Sequence, residues 1–137
     1  MTANAQRNLQ LAQQLLDWNR RNLRHDVALT PALIAERFAP RFTVFANGRS
    51  YAADHGNDQR FLEGFKATIA SIDYRIHETG ADDAGVVLAM RATVRRVHGA
   101  TDLFDAMLLL RFDEAGQVAL WHEVDVRSES EVVGAAV

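Results

Sequence analysis

The sequence contains no cysteine and only two prolines among its 137 residues. The absence of cysteine excludes disulfides, thiolate metal sites and a cysteine nucleophile. The formal net charge is −3 at pH 7, and the basic residues are scattered, so the basic stripe of a nucleic-acid-binding protein is missing. We therefore expect no nucleic-acid partner, and any catalysis must use groups other than thiols.

Long apolar runs are also missing. The first residues have no apolar segment of signal-peptide length, and no later run approaches the ~18 residues needed to cross a bilayer. We expect no membrane contact and, by default, a cytoplasmic location. No glycine-rich loop stands between a strand and a helix, which argues against nucleotide binding. The composition, 48% hydrophobic and 24% charged, is typical of a globular protein, and the length predicts one domain over residues 1–137.

The first predicted helix covers residues 5–24. Its leucines, alanines and Trp18 fall on one half of the helical wheel, so the helix is amphipathic. Asn19 lies on the apolar side and Asp17 on the opposite side. An inward amide needs a hydrogen-bond partner, because a buried unpaired polar group costs about 1–3 kcal/mol. We therefore expect Asn19 to line an interior site and Asp17 to face solvent.

The remaining pattern predicts two more helices and six strands. Asn47-Gly48 between two β-prone runs is the strongest short hairpin signal. The predicted elements, in order, are a helix over 32–39, strands over 41–46 and 49–53, a helix over 57–71, and strands over 73–79, 85–98, 102–113 and 117–127. This order predicts an α+β fold with one curved antiparallel sheet and the helices on one face.

The chain resembles the nuclear transport factor 2-like (NTF2-like) superfamily, especially its polyketide cyclase branch, called SnoaL-like. The resemblance rests on the order of elements, on the segment FTVFANG after the second helix and on the ending RFDEAGQVALWHEVDV. It covers about residues 5–127. It implies a cone, in which a strongly bent sheet wraps around the N-terminal helices and encloses an apolar pocket, and it implies dimers across the outer sheet face. It does not fix a function, because members include enzymes of several classes and proteins with no chemistry.

His122 interrupts the apolar stripe of the last predicted strand. A three-residue hairpin loop within Asp113–Gln117 would place Leu108 opposite His122. A similar loop at the preceding hairpin would place Ala92 opposite Leu108 and Ala106 on a diagonal from His122. The two alanines would leave space beside the imidazole. We therefore expect His122 to face an open apolar pocket, unless a β-bulge reverses its direction.

These positions define the predicted site. His122 is the candidate catalytic residue, because imidazole side chains suit proton transfer near neutral pH; a core histidine satisfied by a hydroxyl or a buried water is the alternative. The residues expected to contact the substrate are Asn19, Tyr51, Trp18, Met90, Ala92, Ala106 and Leu108. The histidines lie on separate elements, so we expect no metal site, and no cofactor is indicated.

Two function hypotheses follow from this site. The first is a cofactor-independent enzyme, an isomerase, cyclase or dehydratase, acting on a small, largely apolar, oxygenated molecule. The second is a module without chemistry that binds a ligand or assembles as a dimer. The resemblance argues against the ketosteroid isomerase mechanism, because that branch has a catalytic aspartate in the first hairpin, where this chain has Ala46 or Asn47.

The outward residues of the last strands predict an interface. In the assumed register, Trp121, Leu109 and Met107 form an apolar centre within a charged border on the outer sheet face. An apolar centre with a polar rim is typical of protein interfaces. We therefore expect a homodimer through this face.

Overall fold

The computed structural model describes residues 1–128; residues 129–137, which the one-domain prediction includes, lie outside the described part. The described elements are α1 (Ala3–Asn22), α2 (Pro31–Ile34), β1 (Phe38–Ala46), β2 (Arg49–Asp54), α3 (His55–Lys66), β3 (Ile69–Ala81), β4 (Val86–Arg96), β5 (Thr101–Phe112) and β6 (Val118–Ser128). This order confirms the predicted α+β architecture. Within residues 1–128, no helix is long and apolar enough to span a membrane.

Helix α1 has the predicted orientation. The Thr2 side chain caps its first turn by accepting from the Ala5 amide, which satisfies an otherwise unpaired N–H. Leu15 and Asn19 are buried, whereas Asp17 is exposed and pairs with Arg20 at the surface. The amphipathic pattern therefore places Asn19 in the interior, as predicted.

The six strands form one curved, unclosed sheet in the order β2-β1-β6-β5-β4-β3. Neighbouring strands run antiparallel, as predicted, except β1 and β6, which pair in parallel. The concave face carries the buried apolar residues of β3, β4 and β5 and packs against α1. The core therefore lies inside the cone, between this face and the helices.

Two helices are shorter than the sequence predicts. Helix α2 ends at Ile34, and β1 begins at Phe38, so Pro40 lies inside a strand instead of ending a helix. Helix α3 begins directly after Asp54, whose side chain and the Asn57 side chain form a reciprocal capping box. It ends at Lys66, because residues 69–71 already belong to β3.

The hairpin between β4 and β5 has a longer loop than predicted. Arg96 donates its amide to the Ala100 carbonyl, and Gly99 has a φ of +99°, which favours glycine. Ala92 therefore pairs with Phe104, where the prediction placed Leu108. The displacement is an even number of residues, so every side chain of β5 keeps its predicted face.

The hairpin between β5 and β6 departs from the prediction in a way that changes the site. Its turn has the predicted form, and Phe112 pairs with Val118. Beyond this pair, Ala119 is an extra residue in β6, so Leu109 instead of Leu108 pairs with His122. A one-residue bulge turns all following side chains to the opposite face. The prediction that His122 faces the interior is therefore wrong: it lies on the outer face.

The same bulge reverses the predicted facing of Trp121, which packs against the core from the inner face. The cause is the second neighbour of β6. Val118 pairs with Phe38 of β1 and donates its amide to the Arg37 carbonyl, whereas Leu120 pairs with Thr43. Between these two pairs β1 advances by five residues and β6 by only two, so both strands are irregular there.

A close approach at the start of β4 yields a stability prediction. A Cβ atom added to Gly85 would lie 2.4 Å from the Leu110 carbonyl oxygen, whereas one added to Gly80 would have no heavy atom within 4 Å. Gly85→Ala should therefore destabilise the protein by about 1–3 kcal/mol, because backbone must move. Gly80→Ala, the matched control, should change the free energy of unfolding by less than about 0.5 kcal/mol. Urea unfolding measures both; equal effects would contradict this β4–β5 packing.

Candidate active site

Three consecutive inward side chains of β6 form the centre of the candidate site: Trp121, Glu123 and Asp125. Each pairs with a buried residue of β5, and each is itself only partly buried. The Trp121 indole Nε1 donates to Glu123 Oε1 over 3.2 Å. The two carboxyl groups therefore lie at the boundary between the apolar core and solvent.

Glu123 lies in an environment that favours its neutral form. Burial, the negative charge of Asp125 and a hydrogen bond with its carboxyl together raise the pKa of Glu123 to about 7, while the Trp121 indole opposes the shift. Glu123 can therefore hold or release a proton near neutral pH.

Asn47 fixes the position of Asp125. Its Oδ1 accepts from the Asp125 amide over 2.8 Å, its Nδ2 lies 3.4 Å from Asp125 Oδ1, and its own amide donates to the Glu123 carbonyl over 3.0 Å. Asn47 has a φ of +51°, which asparagine tolerates better than most residues. The β1–β2 turn therefore joins the candidate site through β6.

Tyr74 and Asn19 supply a second polar pair. Asn19 Nδ2 donates to the Tyr74 hydroxyl oxygen over 3.1 Å. Burial holds the pKa of Tyr74 above its usual value, the Asn19 hydrogen bond opposes this, and the charge of Glu123 raises it further. Tyr74 therefore stays a phenol at neutral pH, with a hydroxyl hydrogen that can donate. We call Trp121, Glu123, Asp125, Tyr74 and Asn19 the mouth site.

The structure brings some of the predicted residues to this site and separates others. Asn19 belongs to the mouth site, and Tyr51 lies on the inner face of β2, half-buried. The remaining predicted contact residues are packed in the core: Trp18, Met90, Ala92, Ala106 and Leu108. They form the inner wall below the mouth site, and their contact with a ligand stays a prediction.

His122 lies on the opposite side of the sheet. Its ring centroid is 4.9 Å from that of Phe45, on the neighbouring strand β1, and the residue is exposed. The predicted acid–base role therefore loses its geometric basis at this residue. The acidic side chains of the same strand, Glu123 and Asp125, lie on the inner face instead.

The predicted open pocket also differs from the structure. Two surface depressions, of about 430 and 310 Å³, lie outside the mouth site, one beside Phe42 and Ala119 and one beside Gly85 and Leu109. The mouth site instead consists of four partly buried side chains and the buried Asn19, above a packed wall. Among residues 1–128, no three histidine or acidic side chains converge to hold a metal ion.

Comparisons with known proteins give the fold. No family model and no curated protein matches this sequence. Solved structures do match. An LEH-like epoxide hydrolase from M. tuberculosis is 14% identical, covering 90% of this chain and 81% of its own, with a TM-score of 0.67. An NTF2-like protein from Cytophaga hutchinsonii is 10% identical, covering 89% and 98%, with a TM-score of 0.58. The chain has the NTF2-like fold.

A protein from Jannaschia sp. CCS1 assigned as a SnoaL-like polyketide cyclase also shares the NTF2-like fold. It is 14% identical to this chain, covering 91% of it and 89% of its own length, with a TM-score of 0.66. These matches agree with the predicted fold and with the SnoaL-like branch as its structural neighbourhood. At such low identities they show the fold alone, so the chemistry must be argued from the residues of the NTF2-like interior.

The sequence reasoning missed four residues of the mouth site: Trp121, Glu123, Asp125 and Tyr74. Glu123 and Asp125 were assigned to the outer face, because the register was extended through Ala119 without a bulge. Tyr74 was not selected, although it lies two positions from Ile72 and Ile76 on an alternating strand, which could have identified it as inward.

Burial of Glu123 predicts a pH-dependent stability. Because its folded pKa of about 7 is raised above the ordinary value, its contribution to stability is fully present below about pH 4.3 and is lost as the pH rises through 7. Glu123→Gln replaces the ionisable carboxyl with a neutral amide, so the variant does not lose this stability as the pH rises. Relative to wild type, the variant should gain about 1–3 kcal/mol between about pH 4.5 and pH 8. Urea unfolding at several pH values measures the gain.

Glu114→Gln provides the matched control, because Glu114 lies exposed in the β5–β6 turn. The difference in unfolding free energy between Glu114→Gln and wild type should not increase with pH as it does for Glu123→Gln. Parallel curves for Glu114→Gln and Glu123→Gln would contradict the buried position of Glu123.

Proposed function

We propose that this chain is a cofactor-independent enzyme that moves a proton on a small oxygenated molecule, with the carboxyl pair Glu123–Asp125 as its acid–base group. The observation that carries the proposal is the placement of Glu123 beside Asp125 on the inner face of β6, where both carboxyl groups are partly buried. A catalytic acid or base works best when its pKa lies near the working pH. Glu123, with a pKa of about 7, meets this condition.

Tyr74 would polarise the substrate. Since its hydroxyl oxygen accepts from Asn19, its hydrogen is free to donate toward a substrate oxygen. A donor held in a partly dry site stabilises negative charge that develops on a carbonyl or hydroxyl oxygen. Asn19 is then a positioning residue. The combination of one base and one oxygen-directed donor serves isomerisation, dehydration or ring closure.

The solved neighbours agree with this class of chemistry without specifying it. They include proteins described as an LEH-like epoxide hydrolase, a SnoaL-like polyketide cyclase and a hydroxylase.

Hydrogen exchange on a simple ketone tests the proposal without the natural substrate. Wild-type protein should accelerate exchange of the α-hydrogens of cyclohexanone in D₂O, measured by NMR, with a rate that rises with pH through about 7 as Glu123 ionises. Glu123→Gln should lose at least about 100-fold of this acceleration. His122→Gln is the control on the same strand and should retain the wild-type rate.

Tyr74→Phe separates polarisation from proton transfer. It removes the hydroxyl donor and should reduce the exchange rate by about 10-fold or more, while the dependence of the rate on pH stays the same. No acceleration by the wild type, or equal rates for wild type and Glu123→Gln, would contradict the proposed acid–base role.

The outer sheet face supports a second proposal, assembly as a homodimer. Phe45, His122, Leu109 and Val87 lie side by side across four strands, with Val124 and Met107 in the next row. Met107 and Val124 are 53% and 54% exposed. An apolar sheet face of this extent marks an interaction site, and the Arg91–Asp105 ion pair at its border leaves the centre apolar. A second copy of the chain fits this self-complementary face. Trp121, which the sequence predicts at the centre of this interface, faces inward instead.

Val124→Glu tests the dimer. A charge buried in the centre of the interface should convert a dimer into a monomer, as measured by light scattering. Val97→Glu is the matched control, because Val97 is 50% exposed in the β4–β5 loop, away from this face. If Val124→Glu and wild type have the same mass, the outer face is not the interface.

A further inference from the structure

Arg20 contacts Tyr74, the hydrogen-bond donor of the mouth site, in two ways. Its guanidinium carbon lies over the Tyr74 ring, 5.5 Å from the ring centroid, and its Nη2 donates to the Tyr74 main-chain carbonyl over 3.3 Å. A guanidinium within about 6 Å of an aromatic centroid is attracted to the electron-rich face of the ring. Arg20 therefore holds both the ring and the backbone of the same residue.

Asp73 completes this contact on β3. Its Oδ1 accepts from Arg20 Nε over 2.7 Å and from the Tyr74 amide over 2.8 Å. These two hydrogen bonds hold the pKa of Asp73 below its ordinary value, so the carboxylate is charged at neutral pH. Because β3 is an edge strand, it has a strand neighbour on one side only. Side chains thus hold the main chain at Tyr74 through its amide and through its carbonyl.

Helix α1 brings two successive residues to Tyr74. Asn19 is buried and bonds the Tyr74 hydroxyl, whereas Arg20 lies nearer the surface. Asp17, one turn earlier, accepts from Arg20 Nη1 over 2.6 Å. The guanidinium therefore donates from Nε, Nη1 and Nη2 to three different acceptors at once. This set matches the planar fork of arginine, which the single ammonium group of lysine cannot reproduce.

The positive charge of Arg20 also acts on the Tyr74 hydroxyl. Burial raises the pKa of Tyr74, and the Asn19 hydrogen bond and the charge of Arg20 both oppose this rise. The hydroxyl oxygen gains negative charge when its hydrogen is donated to a substrate oxygen, and a nearby cation stabilises that charge. The Arg20 side chain is 35% exposed, so solvent screens part of this effect. We therefore expect a moderate contribution.

We propose that Arg20 is a positioning residue for the reaction at the mouth site: it orients Tyr74 and strengthens the Tyr74 hydroxyl as a donor to the substrate oxygen. This role rests on the proposed function and extends its machinery to a residue outside the mouth site. Arg20 touches no substrate atom and transfers no proton. Its whole effect on the rate therefore passes through the Tyr74 hydroxyl.

A double-mutant cycle tests this dependence. Arg20→Gln should lower the rate of α-hydrogen exchange of cyclohexanone by about 5-fold, the size expected for one charged contact with a ring. In the Tyr74→Phe background, the same substitution should change the rate by less than about 2-fold, because the hydroxyl is already absent. The pH at which the rate rises should stay that of the wild type, because Glu123 sets it.

Two further variants separate charge from a general effect on the helix. Arg20→Lys keeps the positive charge and should retain more of the rate than Arg20→Gln. Arg21→Gln makes the same charge change at the next, exposed position of α1 and should retain the full rate in both backgrounds. Urea unfolding checks that the variants fold. If Arg20→Gln does not fold, the cycle is carried out with Arg20→Lys, whose smaller loss should also vanish in Tyr74→Phe.

A second readout needs no catalysis. Tyr51 and Tyr74 are the two tyrosines of the chain, so protein labelled at the tyrosine ¹³Cζ atom gives two NMR signals, which Tyr74→Phe assigns. Arg20→Gln should shift the Tyr74 signal and leave the Tyr51 signal in place. Arg21→Gln should move neither signal.

The outcomes distinguish the positioning role from the proposed function. Equal effects of Arg20→Gln in the wild-type and Tyr74→Phe backgrounds, or no effect in either, overturn the positioning role and leave the acid–base role of Glu123 intact. A wild-type protein that does not accelerate exchange contradicts the proposed function instead. The NMR signals then decide whether Arg20 holds Tyr74, and a Tyr74 signal that Arg20→Gln does not shift overturns the positioning role.

Discussion

The inward position of the candidate acid–base residues depends on the parallel pairing of β6 with β1. β6 is a central strand, so it must match the antiparallel register of β5 on one side and the parallel register of β1 on the other. Ala119 absorbs the mismatch as an extra residue. Every side chain after it therefore takes the face opposite to the one that a regular hairpin would give.

This one-residue shift distributes the chemistry of the chain between two faces. It turns Glu123 and Asp125 toward the interior, where burial and the charge of Asp125 raise the pKa of Glu123. It turns His122 and Val124 outward, beside Phe45 and Met107, and thus extends an apolar surface. A regular strand would have produced an acidic outer face and a histidine in the core.

Local patterns were sufficient to predict most of the fold. The spacing in α1 placed Asn19 inward, Asn47-Gly48 located the first hairpin, and alternation identified the last four strands, because each signal depends on neighbouring residues. The bulge at Ala119 could not be predicted in this way. It results from the contact of Val118 with Phe38, a residue far away in the sequence.

The candidate site could be predicted only in part, because some of its residues depend on contacts between strands that are distant in the sequence. Asn19 depends on helical periodicity alone and was identified correctly. Glu123 and Asp125 depend on which face β6 turns inward beyond Ala119, so neither could be predicted from local spacing. When a strand pairs in parallel with one neighbour and antiparallel with the other, the alternation of its own residues does not determine which side chains face the interior.

Direct titration of Glu123 tests the central claim, that the bulge turns this residue into the interior, where its pKa is raised. The side-chain ¹³C carboxyl shift of Glu123 would be followed by NMR as a function of pH. The account predicts that Glu123 titrates near pH 7. A single independent step for Glu123 at its ordinary value of about 4.3 would contradict it.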